Sequence, residues 1–202
     1  MKKYWLFASA FAVTSLVIFN RFSRRNRIVR QAKFYEDIEE IGKNQSFADE
    51  TFEKMMREVG WKSGDAWCMY YVLAVYSKVL PKKQKDIRLL TGSTQSAFNK
   101  AQLKMVPNFI AITSGRPKRG DIAIWQNTGN RAYGHAGIVI KTTAKGIPQG
   151  FTTIEGNTSA NSQFYGSGQS VRVVEHNLDY GKMSQAYPDK VLRGFIRYAP
   201  LQ

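Results

Sequence analysis

The chain has 202 residues, with 30 Lys and Arg against 15 Asp and Glu, a formal charge of +15, one cysteine and two histidines. This length, with 43% hydrophobic residues, is enough to bury a core and excludes wholesale disorder. One thiol excludes an internal disulfide, and one thiol with two imidazoles excludes a Cys/His zinc finger, so packing must hold the fold.

The first 30 residues contain Lys2, Lys3, Arg21, Arg24, Arg25, Arg27 and Arg30 and no acid. Between these charges runs Tyr4 to Phe19, sixteen uncharged residues interrupted only by Ser9, Thr14 and Ser15. As a helix it would be roughly 24 Å long, slightly short of a bilayer core, with Tyr4, Trp5 and the flanking cations available as interfacial anchors. The reading adopted is a single-pass, uncleaved membrane anchor over residues 4–19. A cleaved signal would carry small residues at the end of the run, which instead ends in Leu16-Val17-Ile18-Phe19. A buried core helix is the blander alternative. The arginines that follow the run favour a cytoplasmic position for the remainder of the chain, opposite to what an extracytoplasmic activity needs.

Residues 31–42 place Phe34, Ile38 and Ile41 at helical spacing before Gly42 and predict a short amphipathic helix, so that 31–44 reads as a helical linker. Ser46 to Asp49 resembles a capping box for a second helix ending at Val59-Gly60. A third helix is predicted from Asp65 to about Leu80 and a fourth from Thr94 to Val106, each closed by a proline. The period then changes. Residues 121–125, 134–141, 151–155, 171–175 and 191–198 are β-branched or aromatic runs separated by turn residues, which predict antiparallel strands. Helices followed by a block of strands make an α+β domain over residues 45–202.

Cys68 lies three residues after Asp65, in the first turn of the third helix, where free N–H groups and the helix dipole favour a thiolate and could receive an oxyanion. His135 opens a strand between Gly134 and Gly137 and is a candidate base for that thiol. His176, just beyond a strand, reads as a turn residue. Thr153 and Glu155 share a strand face, and either side chain could orient an imidazole. Trp67, Trp125 and Tyr133 are candidates for a substrate groove, although such aromatics commonly belong to a core.

Together, Trp67-Cys68-Met69-Tyr70-Tyr71-Val72, Pro117 to Trp125, Gly134-His135-Ala136-Gly137-Ile138-Val139 and Ile154-Glu155-Gly156-Asn157-Thr158 resemble the CHAP family of cysteine, histidine-dependent amidohydrolases and peptidases. The resemblance covers roughly residues 45–198. It implies a papain-like fold, Cys68 as nucleophile, His135 as base, Glu155 and Asn157 completing the site, no cofactor or metal, and peptidoglycan as substrate. The apolar run also loosely resembles the signal-arrest-release anchors of some phage lysis enzymes. The expected function is a membrane-tethered peptidoglycan hydrolase, an N-acetylmuramoyl-L-alanine amidase or endopeptidase, serving phage lysis or bacterial wall remodelling. Two alternatives are an acyl-transferring enzyme on the same fold and a catalytically idle basic protein that binds an anionic polymer. Lys and Arg beyond residue 30 are dispersed and no nucleic-acid motif occurs, so no specific nucleic-acid partner is expected.

Overall fold

The computed structural model describes residues 24–143, 150–158, 169–184 and 186–200. The expected anchor at 4–19 lies outside them. Among the described residues no helix is long and apolar enough to cross a membrane.

The α+β expectation holds: the helices precede and pack on an antiparallel sheet. Helix α1 is described over residues 24–33. It is followed by a two-stranded ribbon of β1 (Glu40–Ile41) and β2 (Ser46–Phe47), then α2 (Glu50–Glu58), α3 (Cys68–Val79), α4 (Gln84–Leu89) and α5 (Thr94–Gln102). Strands β3 (Phe109–Ile112), β4 (Ile122–Asn127), β5 (Gly134–Thr142), β6 (Gly150–Thr158), β7 (Ser170–Asn177) and β8 (Lys190–Tyr198) form one sheet. Its order is β3-β8-β4-β5-β6-β7 and every pairing is antiparallel.

The segment expected to be a helix over 31–42 folds otherwise. The helix lies earlier, and Phe34 and Ile41, on the predicted apolar face, are exposed. The reason is tertiary. The Asp37 and Glu40 amides donate to the carbonyls of Val171 and Gln169, and the Val171 amide donates to Ile38, so the chain covers the free edge of β7. Pairing with an exposed sheet edge outweighs a modest helical period.

Helix α2 also starts later than its predicted cap. Asp49, not Ser46, is the N-cap and accepts from the Phe52 amide at 2.8 Å. Ser46 stays in β2 and donates to Glu53 at 2.5 Å. Strand β3 and helix α4 had no counterpart in the sequence reading.

Alternation along the strands divides the core in two. Ile122, Ile124, Ala136, Ile138, Ile154 and Val171 face the helices, whereas Ala123, Trp125, Val139, Phe151 and Leu192 form a smaller cluster on the other face. Helix α3 is buried almost all round, as a helix apolar on every side must be. Its two buried tyrosines keep their hydroxyls satisfied, Tyr71 on the Ala32 carbonyl at 2.9 Å and Tyr76 on the Gly120 carbonyl.

Asp121 is buried and structural, holding Arg197 at 2.7 Å and capping the Lys118 amide at 2.7 Å. Gly156 lets β6 approach α3, because a Cβ there would collide with the Trp67 ring and lie 2.9 Å from Tyr71 Cβ. Replacing Gly156 by Ala should therefore lower stability in urea unfolding by about 1–3 kcal/mol. Gly129→Ala, which meets nothing within 4 Å, should leave it nearly unchanged.

Candidate active site

Helix α3 begins at Cys68 itself. Trp67 is the N-cap and supplies no side-chain bond, and Asp65, expected as the cap, instead accepts from the Tyr70 hydroxyl at 3.4 Å. The first intrahelical bond runs from the Tyr71 amide to the Trp67 carbonyl at 2.9 Å. The amides of Cys68, Met69 and Tyr70 thus lie outside the helical ladder, at the positive end of the helix and next to the thiol.

His135 is the second residue of β5 and its ring is buried against Trp125 and Tyr187. Its Nε2 lies 2.7 Å from Glu155 Oε2, which reaches it from the neighbouring strand β6. A carboxylate only accepts, so Nε2 carries the proton. Nδ1 is then the nitrogen left for the Cys68 thiol, which lines the same groove and helps to raise the pKa of the ring. Burial alone would lower the His135 pKa. The Glu155 charge, with the bond to Glu155 and the neighbouring Cys68, outweighs it and raises the pKa from 6.5 to about 9.

Glu155 is fully buried, which opposes ionisation, yet both histidines hold its carboxyl well below the usual carboxylate range. Four donors meet its two oxygens. His135 Nε2 and the Tyr187 hydroxyl bind Oε2, while His176 Nε2, at 2.8 Å, and the Thr153 hydroxyl bind Oε1. Gly137 makes room for this carboxylate, since a Cβ there would sit 2.5 Å from Glu155 Cγ.

The structure therefore brings Cys68, His135 and Glu155 together. Asn157 lies beside them in a bulge of β6 with φ +59°, and its buried Oδ1 has no hydrogen-bond partner. It lines the same groove, a cavity of about 850 Å³, without bonding to the three. Of the aromatics proposed for the groove, Tyr133 is exposed and lines it. Trp67 and Trp125 do not: both are buried. Trp67 lies under α3 with Nε1 on Glu40 Oε2 at 2.7 Å, and Trp125 packs at a tilt against His176, with ring centroids 4.6 Å apart. Bulky rings carry enough apolar area that burial beneath the site is favoured over display in it.

His176 and Tyr187 were missed. The alternation that puts Arg172 and Val174 on the site face of β7 continues to His176, one residue past the predicted strand end, whereas Tyr187 has no local signal. Among the described residues no group of three or more His, Cys, Asp and Glu is arranged to hold a metal ion.

Residues 59–157 match the family model described as the CHAP domain. The chain carries a CHAP domain. The matched segment contains Cys68, His135, Glu155 and Asn157 and ends before His176 and Tyr187. The crystal structure of the wild-type endolysin LysIME-EF1 is similar over 73% of this chain, at 19% identity and a TM-score of 0.42. The chain spans 63% of that endolysin, less than two thirds of its length. No protein of curated function matches the sequence.

The raised pKa of His135 has a sign that unfolding can read. An imidazole whose pKa rises from 6.5 to about 9 on folding stabilises the protein fully below pH 6.5, and that contribution is lost as pH climbs through about 9. Unfolding free energy should decline across that window. Glu155→Gln, which removes the charge but keeps the shape, should abolish the decline, and an unchanged slope in the variant would contradict the assignment.

Proposed function

We propose that this CHAP-domain protein is a peptidoglycan hydrolase of the thiol type, with Cys68 as nucleophile, His135 as base and acid, and Glu155 orienting the imidazole. The observation that carries the reading is a His135 ring that bonds to a buried carboxylate and lines one groove with a thiol at a helix N-terminus. In the proposed cycle the proton shared by the pair already sits on His135, and Cys68 Sγ bonds to an amide or peptide carbonyl carbon. The amides at the start of α3 receive the oxyanion. As the C–N bond breaks, the imidazolium protonates the leaving amine. The ring, neutral after giving up that proton, deprotonates the water that cleaves the thioester, which frees Cys68 and restores the protonated His135. Substrate contacts along the groove are assigned to Tyr133 and Asn157, which line it.

The finer reading is an amidase or endopeptidase of phage lysis or bacterial wall remodelling, held at the membrane by residues 4–19 and acting on the wall outside the cytoplasm. Residues 31–202, with 23 Lys and Arg against 15 Asp and Glu, keep a charge of +8 that suits an anionic wall polymer. Digestion of purified sacculi tests the reaction: Cys68→Ala should release soluble fragments about 10³-fold more slowly than wild type, and equal release would sink the proposal. Mapping new amino groups in the digest identifies the bond, and its absence from both amide classes would exclude the finer assignment. Liposome flotation tests the anchor. The full chain should float and a Val17→Lys variant should not; flotation of neither would remove the anchor.

A further inference from the structure

The matched family segment ends at residue 157, yet two of the four donors on Glu155 come from beyond it. His176 sits on β7 opposite Phe151, its side chain 1% exposed, with its ring stacked on Phe151 at 5.2 Å and packed at a tilt against Trp125 at 4.6 Å. Those two rings fix its plane. Its Nε2 lies 2.8 Å from Glu155 Oε1 and 3.0 Å from the Thr153 hydroxyl. Because the carboxylate only accepts, this nitrogen is the protonated one. The other, Nδ1, is buried with no hydrogen-bond partner. A histidine serving packing alone would leave that nitrogen desolvated for no gain over an apolar ring.

We propose that His176 is a positioning residue of the site: its Nε2–H, together with the Thr153 hydroxyl, fixes Glu155 Oε1 and so keeps Oε2 on His135. The inference rests on the reading of Cys68 and His135 as the reacting pair. A carboxylate bound at one oxygen can rotate away from its imidazole; bound at both, it cannot, and its charge stays directed at His135. The other titratable groups facing the cluster are Cys68 from α3, Tyr187 from the segment before β8, Arg172 on β7 in register with Glu155, and Lys190 of β8, whose Nζ lies 5.1 Å from the Tyr187 ring centroid and pairs with Asp189 at 2.8 Å. Among the described residues, Glu155 is the one carboxylate hydrogen-bonded to either imidazole.

The chain has two histidines, so imidazole resonances in NMR spectra of the full-length protein are assignable with one variant. The readout is the pH midpoint of His135 in wild type, His176→Gln, which retains an amide donor, and His176→Met, which retains bulk without one. Wild type should titrate near pH 9, His176→Gln close to it, and His176→Met lower by about one pH unit or more. A folded Met variant with the wild-type midpoint, or a Gln variant displaced as far as Met, overturns the proposal. If His176→Met does not fold, the wild-type spectrum decides: His176 as the Nε2–H tautomer with a slowly exchanging proton supports it, and the Nδ1–H tautomer overturns it. None of these signals depends on hydrolysis, so a failure to digest sacculi and a failure of this proposal are separately visible.

Discussion

A carboxylate with no exposed surface is the constraint on which the rest of this structure depends. Stripped of water, an ionised carboxylate is costly, and one left without partners would protonate instead. Glu155 escapes that outcome because four donors fill its acceptor sites. Meeting that demand fixes much of the sheet. Strands β5, β6 and β7 must keep a register in which His135, Glu155 and His176 share a face, and a one-residue slip would move every one of these groups to the helix side. Gly137 must remain without a side chain. In return, a charge held in a dry place acts strongly on its neighbour, which is how His135 stays protonated far above its ordinary range despite its own burial.

The thiol is positioned by an independent device. Helix α3 is buried nearly all round, so its axis is set by packing rather than by a cap, and its first residue carries the sulfur. Gly156 brings β6 up to the helix, and Trp67 fills the space below, with its indole nitrogen tied to Glu40 of β1. The small β1–β2 ribbon and the chain covering the edge of β7 thereby join the region before residue 59 to the site, although the family match begins only there. Carboxylate and thiol belong to opposite faces of one sheet and meet at the start of β5.

The parts of this arrangement that were legible in the sequence were those written in short-range chemistry. Pro81 and the runs of β-branched residues marked the helices and strands to within a few residues; Cys68 and His135 were candidates because a thiol nucleophile needs a base, whereas the choice of Glu155 over Thr153 came from the resemblance to the CHAP family. Long-range demands left weaker traces. The helix predicted over 31–42 yielded to pairing with β7, and Asp65 looked like a cap but does not act as one. His176 was read as a turn because its strand was ended one residue early, and Tyr187 reaches Glu155 from 32 positions away, a distance over which no periodicity speaks. Trp67 and Trp125 show the same limit, since a residue next to a reactive group in sequence can lie beneath it in space.

The central claim is that His135, directed by Glu155, activates Cys68. The rate at which iodoacetamide alkylates Cys68 near neutral pH, in wild type and in His135→Ala, tests it most directly, because the single thiol makes the signal unambiguous. The account predicts rapid labelling of wild type and labelling slowed about tenfold or more in the variant. Equal rates in two folded proteins would contradict it.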